Sequence, residues 1–99
     1  MVIPSATHEL RQSPSMWRYR NKLKVAQSGV PVSLGEGLTP LVSSRLLPGI
    51  DLFWKDETRN PTGSHKDRPL SVAATDAKAC GARTMVVVSA GSTGLSNAA

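Results

Sequence analysis

The hydrophobic period of this chain changes once, between residues 55 and 70, and that change restricts the folds open to it. Leu52-Phe53-Trp54-Lys55 reads as a strand. The stretch Asn60-Pro61-Thr62-Gly63-Ser64-His65-Lys66-Asp67-Arg68 opens as a turn. Leu70, Ala73, Ala74, Ala77 and Cys80 then recur at helical spacing, and Gly81 is a natural stop. Pro69 would clash with the carbonyl four residues back in an established helix, so the helix is predicted to begin no earlier than about Lys66, with Pro69 in its first turn. Met85 to Ser89 reads as an apolar strand suited to the middle of a parallel sheet. Ala90-Gly91-Ser92-Thr93-Gly94 forms a second loop, and another helix is predicted from Leu95. Strand–loop–helix–strand–loop–helix implies an α/β unit, a parallel sheet with flanking helices and a right-handed crossover.

Upstream of this unit the pattern is looser. Residues 1–15 read as a flexible, polar tail, and residues 16–99 as one incomplete α/β domain. Apolar spacing at Trp17, Leu23 and Val25 suggests a short helix that breaks near Gly29-Val30-Pro31. Ser33 to Val42, punctuated by Gly35, Gly37 and Pro40, is expected to be loop, and Pro48-Gly49 a turn. Two strands do not make a stable doubly covered sheet, and the chain stops inside its last predicted helix, so a truncated protein is expected.

Composition excludes several classes. The chain has 99 residues, a hydrophobic fraction of 39% and a net charge of +5. The longest apolar run, Met85-Val86-Val87-Val88, is far below the ~18 residues that suggest a membrane span. Among the first 35 residues Arg11, Arg18, Arg20, Lys22 and Lys24 face only Glu9. With few aromatics and no groove-reading motif, this basic excess suits an anionic small molecule better than nucleic acid. A single cysteine, Cys80, excludes an internal disulfide and fits a reducing compartment. It reads as a small apolar helix residue, with a catalytic thiol as the alternative. The absence of a secretory apolar region points to the cytoplasm, a transit peptide being the lesser alternative.

Lys66 is the leading candidate for chemistry. It stands at a loop-to-helix junction, where an amine can be held and aimed, as a Schiff base with a carbonyl compound or with pyridoxal phosphate requires. The alternative is an ordinary solvated lysine. Asp67 suits the first turn of a helix, where the dipole favours acids. Arg68 can pair with it or with a neighbouring carboxylate. Gly63 would let the backbone pass close to a planar ring, with Asn60 bracing the loop, and His65 would pack against that ring or act as an acid–base. Ser89, Gly91, Ser92, Thr93 and Gly94 would offer backbone N–H groups to a carboxylate or phosphate, although the lysine of a P-loop is missing. Both loops would lie at the carboxyl ends of the expected parallel strands, where α/β proteins bind ligands.

Together these stretches resemble the fold-type II pyridoxal-phosphate enzymes, most closely the threonine synthases. The lysine stretch is similar to the cofactor-lysine motif of that superfamily. Trp17-Arg18-Tyr19 and Leu34-Gly35-Glu36-Gly37-Leu38-Thr39-Pro40-Leu41 resemble the amino-terminal signature of threonine synthases. The resemblance runs from about Met16 to Ala99. It implies a partial three-layer sandwich, pyridoxal 5'-phosphate held on Lys66 as an internal aldimine, and His65 and Ser92 beside the cofactor. It further implies a substrate carboxylate received by Ser89, Gly91, Ser92, Thr93 and Gly94, an amino-acid substrate, and a homodimer at full length. The implied reaction is O-phosphohomoserine and water to threonine and phosphate. The family usually carries phenylalanine where His65 stands, glycine where Pro69 stands, and asparagine where Ser92 stands. Its glycine-rich phosphate loop and the group facing the pyridine nitrogen come later than these residues. The Ser92 departure keeps a serine/threonine dehydratase or another β-eliminating relative as the alternative, and a non-catalytic module as a third reading.

Overall fold

Two short strands, two 3-10 turns and two α-helices are arranged around a core that is more polar than apolar. The computed structural model describes residues 13–99, so most of the tail expected over residues 1–15 lies outside the described residues. A 3-10 helix spans Met16–Lys22, and the Ser15 side chain caps it by accepting from the Trp17 N–H. Strand β1 is Leu41–Ser44 and strand β2 is Leu52–Lys55. A second 3-10 turn, Glu57–Arg59, leads into the lysine stretch. Helix α1 is Asp67–Ala79 and helix α2 is Ser92–Ala98.

Helix α1 begins and ends where its residues require. Pro69 lies in the first turn, as expected. At the other end Gly81 adopts φ +79. Its N–H donates to the Lys78 carbonyl at 3.0 Å, while the Ala82 N–H reaches the Ala77 carbonyl at 2.9 Å. This pair of bonds is a Schellman cap, and glycine supplies the left-handed residue without steric cost. The buried stripe of α1, however, is Asp67, Ser71 and Thr75 rather than the alanine-rich face. Ala73 and Cys80 are exposed. The reason lies in the partner. Extended loop backbone covers this face, and its amides need acceptors: Val32 N–H donates to Thr75 Oγ1 at 2.9 Å, and Ala26 N–H to Asp76 Oδ1 at 2.8 Å.

The expected parallel sheet is not formed among the described residues. Strand β2 pairs antiparallel with β1, in the register Leu41↔Lys55 to Ser44↔Leu52. Residues 45–51, including Pro48-Gly49, close this pairing locally, whereas a parallel pair needs a crossover and flanking strands. The valine segment takes part in no sheet, and Val86 and Val88 are 84% and 99% exposed. The loop expected up to Val42 ends at Pro40, where β1 begins, and the last helix starts at Ser92 rather than Leu95. Among the described residues no helix is long and apolar enough to cross a membrane.

The buried centre is built on Glu36, which is fully buried beside Trp17, 1% exposed. Glu36 Oε1 lies 2.9 Å from Trp17 Nε1 and 2.7 Å from Ser71 Oγ, and Oε2 accepts from the Leu34 N–H at 2.8 Å. The Ser33 hydroxyl reaches the same carboxylate. One acid thereby ties the first 3-10 helix, the 33–37 loop and α1. Arg20 is buried too: it lies over the Trp17 ring at 5.6 Å and donates to the carbonyls of Ala26, Ser28 and Gly29. Arg20, read in sequence as part of a basic excess suited to an anionic small molecule, is here a structural clamp. Gly37 closes the arrangement, since a Cβ there would sit 2.6 Å from Met16 N.

Two outcomes are expected. Glu36→Ala leaves several buried donors unpaired and should lower stability by roughly 3 kcal/mol or more, read as a fall in the urea midpoint. Gly35 and Gly37 both have positive φ, but nothing lies within 4 Å of a Cβ at Gly35. Gly37→Ala should therefore lower the melting temperature distinctly more than Gly35→Ala, whose cost is confined to ~1–2 kcal/mol of backbone strain.

Candidate active site

The lysine stretch is braced from both sides by charged hydrogen bonds. Arg68 forms a two-pronged ion pair with Glu57, Nε to Oε2 at 2.6 Å and Nη2 to Oε1 at 2.9 Å. Thr39 Oγ1 donates to Glu57 at 2.6 Å and Asn60 Nδ2 at 2.8 Å. Asn60 is buried, and its Oδ1 accepts from the Gly37 N–H at 3.0 Å. Asn60 thus braces the loop as expected, and Arg68 pairs with a neighbouring carboxylate, as one of its two expected choices. The Lys55 ammonium donates to the Thr39 carbonyl on the same side.

Asp67 is 2% exposed. Its carboxylate accepts from the Thr62 N–H at 2.8 Å and from the Thr62 hydroxyl. Burial pushes the Asp67 carboxyl up, but the hydrogen bonds from Ser96 and Thr62 outweigh it and hold the pKa below the ordinary aspartate value. For Glu57 the Arg68 hydrogen bond dominates: against an opposing contribution from burial, and with help from Thr39 and Asn60, it takes the carboxyl from 4.5 to about 2.

Lys66 directly precedes α1 and is half-buried. Its N–H donates to Ser64 Oγ at 3.1 Å and its carbonyl accepts from Leu70 N–H at 3.2 Å. Its Nζ takes no part in a hydrogen bond or ion pair among the described residues. The backbone is anchored while the amine is free, which is the combination that imine chemistry needs. His65 is exposed beside it, and Gly63 turns the chain at φ +84.

The second loop is shorter than expected, because Ser92, Thr93 and Gly94 are the first turn of α2. Ser89 Oγ accepts from the Gly91 N–H at 3.0 Å. The N–H groups of Ser92, Thr93 and Gly94 precede the first intrahelical bond, Leu95 N–H to the Gly91 carbonyl at 3.1 Å. The two loops are not brought together by a parallel sheet. Packing of α2 on α1 brings their helices together, so that Ser96 and Asp67, the residue after Lys66, line one cleft. Sequence reasoning missed Glu57, Thr39 and Ser96. Glu57 sits eleven positions from its arginine and carries no local motif, so only the fold pairs them.

These residues fit one part of pyridoxal phosphate, its aldehyde, through the anchored Lys66 with its unengaged amine. Gly63 and Gly91 are exposed, with only the Thr58 carbonyl, at 3.9 Å, near a Cβ at Gly63 and nothing within 4 Å of one at Gly91. The cleft between the 32–36 loop, α1 and α2 is about 110 Å³ and is lined by Asp67, Ser71 and Ser96, not by Lys66. It is smaller than the ~300 Å³ of an ordinary ligand pocket.

The folded unit is thus an α/β element that presents a lysine at a turn–helix junction. Residues 32–99 match the family model described as pyridoxal-phosphate dependent enzyme, and the chain belongs to that family. It is 42% identical over 101 residues to the threonine synthase of Mycobacterium tuberculosis (strain ATCC 25618 / H37Rv), covering 99% of this chain and 28% of that protein. It is 38% identical over 109 residues to the threonine synthase of Synechocystis sp. (strain ATCC 27184 / PCC 6803 / Kazusa), again 99% and 28%. The threonine synthase of Methanocaldococcus jannaschii (strain ATCC 43067 / DSM 2661 / JAL-1 / JCM 10045 / NBRC 100440) is 42% identical over 88 residues, 85% of this chain and 22% of that protein. The chain spans 22–28% of the length of these relatives. No solved structure matches it significantly.

Acid sensitivity follows from Glu57. Its folded pKa is below its unfolded value, so its contribution is fully present above about pH 4.5 and lost as the pH falls toward about 2. Urea midpoints measured across that window should fall by the equivalent of ~2 kcal/mol after allowance for screening. Glu57→Gln should flatten the slope.

Proposed function

We propose that this chain carries the lysine-bearing part of a threonine-synthase-like enzyme, which converts O-phosphohomoserine and water to threonine and phosphate. The observation that supports this most directly is Lys66: its backbone is tied to Ser64 and α1, and its Nζ has no partner among the described residues. The likeness to threonine synthases over 99% of the chain supports the choice of reaction.

Lys66 would hold pyridoxal 5'-phosphate through its Nζ. When bound, that group supplies an electron sink for charge developing on the substrate. Lys66 Nζ, when free, would serve as the base and acid that takes a proton from the substrate and returns it. His65 and Ser92 would lie beside the cofactor. The first-turn N–H groups of Ser92, Thr93 and Gly94, with the hydroxyls of Ser92 and Thr93 and the Ser89–Gly91 turn, receive the substrate carboxylate. Asn60, Glu57 and Arg68 keep the lysine turn in place while Lys66 changes partner. Assembly as a homodimer in the cytoplasm belongs to the same reading.

The tests are chemical. Reduction with borohydride in the presence of pyridoxal phosphate, followed by peptide mapping, is expected to put the label on Lys66, and Lys66→Ala to remove it. A label spread evenly over the exposed lysines would refute the assignment. Phosphate release from O-phosphohomoserine is expected to exceed oxoacid formation from threonine. The reverse order would favour the β-eliminating alternative that Ser92 motivates.

A further inference from the structure

We propose that Asp67 is a positioning residue for Lys66: its buried carboxylate clips the Thr62 turn before the lysine to the first turn of α1 after it. The inference rests on the reading that Lys66 holds the cofactor. It concerns what orients that lysine.

An acid at the first position of a helix ordinarily serves as a cap. Here the cap is already made without it. The Asp67 N–H donates to the Ser64 carbonyl at 3.4 Å, and the Arg68 N–H to the His65 carbonyl at 3.1 Å. Pro69 has no N–H, and the Leu70 N–H reaches the Lys66 carbonyl at 3.2 Å. The first-turn donors of α1 are therefore satisfied by backbone, and the Asp67 carboxylate is directed elsewhere. It accepts from Thr62, five positions earlier, at 2.8 Å through the N–H and again through the hydroxyl. At 2% exposure little water competes for it.

The consequence for Lys66 is geometric. The lysine backbone lies between the Thr62–Asp67 clip and the Ser64 hydroxyl that receives its own N–H. Its main-chain direction is therefore set on both sides, and only the side chain can swing. Two donors of Thr62, its N–H and its hydroxyl, meet the two carboxylate oxygens. An amide offers one oxygen and turns its NH₂ toward a donor, so asparagine cannot reproduce the clip.

The test uses pyridoxal phosphate and borohydride on the folded protein, with the labelling ratio of Lys66 to Lys78 as the readout. Lys78 lies exposed on the same helix, so global loosening of the fold does not favour one lysine over the other. In the unmodified protein Lys66 should dominate. Asp67→Asn should lower the ratio by about tenfold, and Asp67→Glu, which keeps both oxygens, should recover part of it. Circular dichroism is recorded in parallel. If Asp67→Asn does not fold, Thr62→Val removes the hydroxyl donor and should still reduce the ratio. A ratio unchanged in the folded variants overturns the positioning role and leaves Lys66 as the cofactor residue. A lack of preference for Lys66 in the unmodified protein overturns that reading, and this inference with it.

Discussion

The fold depends on one buried acid. Glu36 has no apolar core to lean on, because only Met16 and Trp17 are buried hydrophobics among the described residues. Its carboxylate instead gathers the indole of Trp17, the hydroxyls of Ser33 and Ser71, and the amide of Leu34. A buried charge is costly unless its oxygens are filled. Here four donors converge on them from three segments. Removing the acid would leave those donors unpaired in the same dry space, so the cost would be larger than that of any single bond.

The lysine turn inherits its position from this hub. Gly37 follows Glu36 directly, and its N–H donates to Asn60, which also holds Glu57. Glu57 is locked by Arg68, two residues beyond Lys66. The path from the buried acid to the lysine therefore runs through one backbone amide, one amide side chain and one ion pair. Each link is short and directional, which suits a residue that must be aimed rather than merely buried. On the opposite side Asp67 makes a separate attachment, so the turn is gripped by two acids with different partners.

Local signals in the sequence were reliable where the structure is local. Pro69 and Gly81 bracket α1 through their own backbone restrictions, and the turn at Asn60 to Gly63 and the strand at Leu52–Lys55 are where composition puts them. The helical period located α1 but not its buried face, since the alanines at that spacing carry no group that a loop amide needs, whereas Ser71 and Thr75 do. The valine run misled for the opposite reason. Its composition suits a buried strand, but a strand requires a partner, and the partner available to β2 was the sequence-near Leu41–Ser44. Arg20 read as one of several surface cations, and only the carbonyls of the 26–29 loop make it a clamp.

The sequence alone determined that a lysine would stand at a turn–helix junction, because proline, glycine and asparagine dictate backbone geometry from within their own few residues. Tertiary structure decided everything that depends on a distant partner: that Glu36 joins Trp17 to Ser71, and that Glu57 finds Arg68. Hydrogen bonds and ion pairs act over a few ångströms. Residues separated along the chain acquire them only when folding has brought their segments together.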